Sequence, residues 1–465
     1  MPGKAVSFFK ILLFILLTFQ GVMAQKQYTA TWESIDSRPT PSWFEDAKFG
    51  IFIHWGLFSV PAWGPTDASV YDKYAEWYWN KLTNPGSPVY KNFNDFHNRV
   101  YGSDFKYSSF VKDFNCEMFN PDQWADIFKQ SGAKYVVLTS KHHEGFTLWP
   151  SAQAWNWNSV DVGPHRDLAG DLIKSVRAEG LRMGYYYSLY EWFNPLYKSD
   201  VNKYVVDHMI PQMKDLVTRY KPDILWTDGE WDHPSETWKS TEFLSWLYNE
   251  SPVRENVVVN DRWGKETRSK HGGIYTTEYD LVHDSNSQGM KMDHPWEECR
   301  GIGGSFGYNR NENLKDYSTS KELIRILIDK VARGGNLLLN IGPTADGRIP
   351  VIMQQRLYDM GEWLQVNGEA IYDTRAWKGA PEVTKETTVF FTQKGADIYV
   401  LCTEYPTNKL IIKTARQPGT VSLLGFKGKI NYSKSGNVIS IAPPNVTPAN
   451  NPSQYAWVFK IENAL

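Results

Sequence analysis

Seven short apolar runs in this chain end on residues able to do chemistry: His54, His142 with His143, Tyr187, Asp228, Arg262, Glu278 and Asn340. Taken singly, each has a plain structural alternative, because a His or Asp after a strand is commonly a turn or helix-capping residue. Taken together they form a set of acids, bases and hydrogen-bonding groups. Asp228 closely follows Ile224-Leu225-Trp226 and sits among aromatic side chains that would exclude water. A carboxylate so placed can attack an electrophilic carbon or activate water, and with a second carboxyl to protonate a leaving oxygen it can cleave a glycosidic bond. Three residues could supply that acid: Glu278 in Thr276-Thr277-Glu278-Tyr279, Glu297 in Pro295-Trp296-Glu297-Glu298, and Glu76 in Ala75-Glu76-Trp77-Tyr78. The strand-end position favours Glu278. Glu76 and Glu297 adjoin Trp in what read as long loops, where ligand contact or loop anchoring would serve equally. Such an acid must hold its proton near neutral pH, through burial or a neighbouring negative charge.

The pair His142-His143 invites a metal, but adjacent residues on an extended segment point to opposite faces, and no third ligand recurs at a zinc-like spacing. No metal and no cofactor are expected; two imidazoles and Arg262 suit the hydroxyls of a sugar ring. Gly301-Ile302-Gly303-Gly304 lacks the strand-to-helix setting and lysine of a nucleotide loop and reads as a substrate loop or turn. The 20 Trp, 26 Tyr and 23 Phe fit the same chemistry, since pyranose C–H faces stack on aromatic rings, although an aromatic-rich core would also account for them. With 50 Lys and Arg against 52 Asp and Glu, no global field draws nucleic acid or an anionic membrane.

The elements that must position these groups follow from periodicity. From about residue 28 to 370, amphipathic stretches alternate with short apolar runs across Gly- or Pro-marked turns. Helices are predicted near Asp122 to Gln130, Leu172 to Ala178, Val205 to Tyr220, Ser240 to Tyr248, Leu323 to Ala332 and Met353 to Val366. Strands are predicted at Gly50 to Ile53, Tyr135 to Leu138, Tyr185 to Ser188, Ile224 to Trp226, Val257 to Asn260, near Tyr275, and at Leu337 to Asn340. This is an α/β pattern of seven or eight units, which predicts a (β/α)8-like, TIM-type barrel, regular or partly open. Barrel enzymes gather catalytic groups at the C-terminal strand ends, where these eight residues lie. After Tyr372, alternating runs such as Asp397 to Leu401 and Val438 to Ile441 predict an antiparallel β-sandwich.

The expected division is a signal peptide over 1–24, a catalytic barrel over 25–372 and the sandwich over 373–465. Lys4 and Lys10, the apolar run Ile11 to Phe19 and Val22-Met23-Ala24 before Gln25 make the signal; the run is too short for a membrane anchor. Cys116, Cys299 and Cys402 imply neither a disulfide framework nor a zinc site. Asn249, Asn431 and Asn445 are glycosylation sequons of relevance chiefly in a eukaryotic secretory pathway.

These residues resemble the α-L-fucosidases of glycoside hydrolase family 29. The likeness runs from Trp43-Phe44-Glu45-Asp46-Ala47-Lys48-Phe49-Gly50-Ile51-Phe52-Ile53-His54-Trp55-Gly56 through Ser140-Lys141-His142-His143-Glu144-Gly145-Phe146 and Leu225-Trp226-Thr227-Asp228-Gly229-Glu230-Trp231. It continues in Asn260-Asp261-Arg262-Trp263, Ser305-Phe306-Gly307-Tyr308-Asn309 and Asn336-Leu337-Leu338-Leu339-Asn340-Ile341-Gly342-Pro343. The resemblance implies a retaining, metal-free exo-hydrolase that releases terminal α-L-fucose through a covalent fucosyl-enzyme. It puts the nucleophile on Asp228, the acid/base on Glu278 with Glu297 in reserve, and fucose contacts on His54, Glu76, Trp77, His142, His143, Tyr187, Trp226, Arg262 and Phe306. Phe306 and Trp226 suit the sugar's methyl group. Fucosylated oligosaccharides or glycoproteins are the implied partners. The implied locations are periplasmic or extracellular for a bacterial chain, lysosomal or secreted for a eukaryotic one. A galactosidase-like specificity and a non-catalytic lectin on the same scaffold are the alternatives. Linkage preference and any homo-oligomer are not legible.

Overall fold

A computed structural model describes residues 26–279, 294–381, 384 and 386–465; the signal segment expected over 1–24 lies outside them. Eight parallel strands form one curled sheet: β1 (Phe49–Ile53), β2 (Tyr135–Lys141), β3 (Arg182–Ser188), β4 (Ile224–Asp228), β5 (Val258–Val259), β6 (Tyr275–Glu278), β7 (Trp296–Gly301) and β8 (Asn336–Ile341). Their order is β5-β4-β3-β2-β1-β8-β7-β6. The edges β5 and β6 meet at a single bridge, Asn260 to Ile274, where Ile274 N–H donates to Val259 O at 2.9 Å. The predicted barrel is therefore present, with one thin seam.

Period-2 alternation sorts the strand residues into two cores. Phe52, Tyr135, Val137, Tyr186, Ile224, Trp226, Val258, Ile274, Cys299 and Leu338 pack together inside the barrel. Their neighbours Ile51, Ile53, Val136, Leu138, Tyr185, Tyr187, Leu225, Val259, Leu337 and Leu339 face the surrounding helices. That layer includes α1 (Pro121–Gln130), α2 (Leu168–Ala178), α3 (Ile210–Tyr220), α4 (Ser240–Asn249), α5 (Ser320–Ala332) and α6 (Val351–Asn367). Local signals set their ends: Asn120 caps α1 ahead of Pro121, and Thr319 with Glu322 forms a capping box on α5. The predicted helix from Val205 begins as a π-turn over Val205–Met209 before α3. Residues 260–274, between β5 and β6, are turns and bends. No helix among the described residues is long and apolar enough to cross a membrane.

Beyond α6 the strands are β9 (Arg375–Ala376), β10 (Val389–Lys394), β11 (Asp397–Cys402), β12 (Leu410–Lys413), β13 (Val421–Leu423), β14 (Asn431–Ser435), β15 (Val438–Ala442) and β16 (Trp457–Ile461). They form antiparallel sheets in the orders β13-β16-β11-β10-β9 and β12-β15-β14. Val400, Phe459, Ile439 and Ile441 fill the space between the sheets. On its other face the larger sheet turns Phe390, Tyr399, Leu401 and Val458 onto the helices of the barrel. Polar ties also cross that contact, among them Trp363 Nε1 donating to Ala456 O at 3.0 Å and Arg325 Nη2 to Thr387 O at 2.8 Å.

Candidate active site

The C-terminal strand ends surround a cavity of about 460 Å³ lined by Phe52, His54, Glu76, Trp77, His142, His143, Tyr186, Trp226, Asp228, Arg262, Glu278 and Phe306, among others. Asp228 closes β4, with the same inward parity as Ile224 and Trp226, and caps no helix. Arg262 Nη1 donates to Asp228 Oδ1 at 2.7 Å, and Tyr186 OH donates to Oδ2 at 2.9 Å. The other arm of the same guanidinium, Nη2, lies 2.7 Å from Glu278 Oε1. One planar cation thus bridges two carboxylates at the cavity, by a charge-assisted hydrogen bond to Asp228 and an ion pair with Glu278. Arg262 is itself held by Nε donating to Thr276 Oγ1 at 2.9 Å and by the Trp226 ring, 4.4 Å beneath it.

The imidazoles are set by their far-side partners. Asn340 Nδ2 donates to Phe306 O at 2.6 Å, leaving Asn340 Oδ1 to accept from His54 Nδ1–H at 2.7 Å. Ser188 Oγ donates to Tyr190 O and therefore accepts from His143 Nδ1–H, both at 2.6 Å. Burial first, and neighbouring His142 second, lower the pKa of both His54 and His143 well below the usual imidazole value. Each ring is then neutral with a bare Nε2, an acceptor for a hydroxyl. Glu76 is buried in a 3-10 turn over Ala75–Trp77, where Gly307 N–H donates to it at 2.8 Å and Ser305 Oγ at 3.1 Å. Burial raises its pKa against those bonds. Phe306, Phe52 and Trp226 form a contiguous apolar patch of the cavity lining, with His54 packed against Phe52 and Phe306.

A cavity with paired carboxylates, neutral imidazoles, a cation and an aromatic wall suits a sugar, and comparison with known proteins agrees. The alpha-L-fucosidase profile matches residues 15–369, and the alpha-L-fucosidase C-terminal domain profile matches 382–462. The chain belongs to the alpha-L-fucosidase family. Tissue alpha-L-fucosidase of Homo sapiens is 44% identical over 469 residues, covering 97% of this chain and 96% of that one. The Thermotoga maritima alpha-fucosidase in complex with a mechanism-based inhibitor superimposes with a TM-score of 0.78 at 37% identity, over 94% of this chain and all of that one. The same enzyme in complex with fucose gives 0.77 at 37% identity and the same coverage. Membership makes the chain a glycoside hydrolase.

Within this fucosidase scaffold, most residues singled out from the sequence converge on the cavity, and three local expectations need correction. Tyr187 does not reach it. Its hydroxyl donates to Gln212 Oε1 at 2.8 Å on the helical side of β3, and Tyr186 stands in the cavity instead; a one-residue offset on a strand reverses the face. Glu297 is not in a loop. It lies on β7, pointing into the barrel below the cavity lining, where it accepts from Trp226 Nε1 at 3.2 Å and from the Tyr135 hydroxyl; burial pushes its pKa up to about 7. His142 and His143 do not point apart. A bulge between Thr139 and Lys141 and a turn closed by Gly145 N–H donating to His142 O leave both rings in the cavity, 4.1 Å between centroids.

Several cavity residues are not among the site residues expected from the sequence: Tyr71, Tyr74, Lys81, Tyr186, Glu230, Trp231, Lys265, Arg268 and Cys299. Glu230 and Trp231 stand in the stretch that carries Asp228, and strict strand parity from Trp226 and Asp228 would have selected Tyr186. Arg268, whose Nε donates to Glu230 Oε1 at 2.5 Å, sits in the turns between β5 and β6, where no periodicity marks it.

Proposed function

We propose that the chain is a retaining exo-α-L-fucosidase in which Asp228 is the nucleophile and Glu278 the general acid/base. The observation carrying this reading is the Arg262 guanidinium between Asp228 and Glu278, 2.7 Å from each on the cavity wall. One cation offsets one carboxylate, so the pair can keep the single proton that the acid role needs. In the first step an Asp228 oxygen bonds to the anomeric carbon while the glycosidic C–O bond breaks, and Glu278 gives its proton to the departing oxygen. In the second, Glu278 takes a proton from water, whose oxygen attacks the same carbon, releases fucose and returns Asp228 as carboxylate. Arg262 and Tyr186 orient Asp228; the bare Nε2 atoms of His54 and His143 accept from ring hydroxyls, with His142, Glu76 and Trp77 completing the polar side. Phe306, Phe52 and Trp226 face the methyl group, so a sugar carrying CH2OH there would fit poorly. A lectin role is disfavoured because both carboxylates stand in one cavity.

Asp228→Gly should lower turnover on the order of 10^4-fold or more, and azide should restore part of it, giving the inverted fucosyl azide. Glu278→Ala should spare aryl fucosides with good leaving groups, and azide should give the retained product. An active Asp228→Gly enzyme, or preference for aryl β-D-galactoside over aryl α-L-fucoside, would refute the reading. We further assign residues 1–24 as an export signal, 25–372 as the catalytic part and 373–465 as a supporting sandwich. Fucosylated oligosaccharides or glycoproteins outside the cytoplasm are then the substrates, and N-terminal sequencing of the exported chain should begin at Gln25.

A further inference from the structure

Both groups that donate to Asp228 rest on one aromatic ring. The Arg262 guanidinium lies 4.4 Å over the Trp226 ring, and the Tyr186 ring stacks on it at 5.8 Å and 20°. Phe52 packs against it at 5.0 Å. Ring contacts of this kind are only weakly directional and leave the ring's χ1 and χ2 to be fixed by whatever its polar edge meets. The indole has a single polar atom, Nε1, and that atom donates to Glu297 Oε1 at 3.2 Å.

Glu297 is 1% exposed and does not line the cavity. Its other oxygen accepts the Tyr135 hydroxyl. Room for the Tyr135 ring inside the barrel comes from Gly50, its partner on β1, where a Cβ would stand 2.3 Å from the ring. A carboxyl placed here is desolvated at a cost of several kcal/mol, which an apolar residue of similar volume would avoid. It also lies behind Trp226 as seen from the cavity, out of line for a proton to a glycosidic oxygen.

We propose that Glu297 is a positioning residue: by fixing Trp226 through Nε1 it presents Arg262 and Tyr186 to Asp228. The proposal rests on the reading of Asp228 as the nucleophile. The chain of contacts is Tyr135 to Glu297 to Trp226, then to Arg262 and Tyr186 in parallel, then to Asp228, and every link is a hydrogen bond or ring contact already described. It also explains why a buried acid adjoins Trp296 on a strand whose inward neighbour, Cys299, is part of the apolar interior.

The test compares Glu297→Gln, Glu297→Leu, Trp226→Phe and the double variant Trp226→Phe/Glu297→Leu. Glu297→Leu should lower kcat on the order of 10- to 100-fold with KM changed less than about threefold. The loss should be equal for aryl fucosides and a fucosyl disaccharide, and azide should not relieve it. Gln, which keeps an acceptor for Nε1, should recover most of that loss. Trp226→Phe, which keeps a ring and removes the N–H, should reproduce it, and the double variant should be little worse than either single one. The proposal is overturned if Gln loses as much as Leu with a leaving-group-dependent, azide-relieved loss, which would make Glu297 the acid/base. It is equally overturned if the losses of Leu and Phe simply multiply, or if Trp226→Phe turns over at the wild-type rate; the last comparison decides the matter even should Glu297→Leu not fold. An Asp228→Gly enzyme that stays active would refute the reading of Asp228 instead, and that experiment leaves Glu297 intact.

Discussion

Strand β3 separates two buried polar clusters built from nearly the same parts. On its inner face stand Tyr186, Asp228, Arg262 and Glu278; on its outer face stand Tyr187, Lys141, Glu191, Tyr204 and Gln212. Outside, Lys141 Nζ reaches Glu191 at 2.7 Å, the Tyr187 hydroxyl at 3.2 Å and the Tyr204 hydroxyl at 3.3 Å, which uses its three protons. Tyr187 passes its own proton to Gln212, and Gln212 Nε2 donates to Ser151 at 2.8 Å. Inside, Asp228 and Glu278 border the cavity with 12% of each side chain still accessible, against 0% for Lys141 and 5% for Glu191. A cluster whose capacity is consumed by the protein supports the fold, whereas one with capacity left toward a cavity can receive a substrate.

Substitutions on the two faces should therefore fail in different ways. After Asp228→Gly, the largest effect is expected from Glu278→Ala, with kcat/KM for a fucosyl disaccharide falling about 10^3- to 10^4-fold and the thermal midpoint changing little. Steady-state kinetics beside calorimetry checks it, and a large fall in the midpoint would erase the contrast. Lys141→Met should do the reverse, destabilising by roughly 3 kcal/mol in denaturant titration because it takes the nearest cation from the buried Glu191, leaving His208, Tyr204 and Asn194 as its partners. The folded fraction should keep kcat within about tenfold.

The two adjacent tyrosines make a finer comparison. Tyr186→Phe removes a donor to a carboxylate and should cost about tenfold or more in kcat. Tyr187→Phe should leave kcat unchanged and cost about 1 kcal/mol of stability. Equal kinetic effects would mean that the faces are not functionally distinct.

The smallest expected effect is a pH slope. Burial alone would raise the Glu191 carboxyl, but Lys141 and His208 outweigh it and hold the pKa at about 2. A carboxyl depressed in the folded state contributes stability that is fully present above its unfolded value near 4.5. That contribution is lost as pH falls from there through about 2. Wild type should thus lose stability over that window more steeply than Glu191→Gln, as read by unfolding midpoints against pH.

The inner cluster was largely legible because its residues end apolar runs, and the end of a run locates a strand terminus without knowledge of its neighbours. Asp228 and Arg262 are of this kind, and each stands in the cavity. Legibility stopped where facing mattered. A string of three tyrosines gives no internal clue to which one faces inward, so Tyr187 reads as the strand-end group although Tyr186 enters the cavity. Glu297 was read as a loop residue because Trp296–Gly301 carries two adjacent acids and an arginine and lacks the look of a strand. Alternation resolves it: Glu298 points outward, 2.6 Å from Arg300 and 3.0 Å from Lys330, so Glu297 points in. The histidine pair was misjudged because a bulge, which interrupts the period-2 rule, cannot be seen in residue types.

By itself the sequence determined the order of the barrel strands and helices apart from β7, the change to antiparallel sheets after Tyr372 and the residue types at the strand ends. Each of these depends on a period or a composition that is local in the chain. Tertiary structure decided the rest. It brought Asp228 and Glu278 onto one guanidinium, turned Tyr186 inward and Tyr187 outward, and set Glu297 behind Trp226 rather than beside the cavity. The physical reason is that closing a sheet fixes which face of each strand is enclosed. Enclosure, by removing water, turns a carboxyl into a reactive group, an anchor or half of an ion pair according to the neighbours it meets.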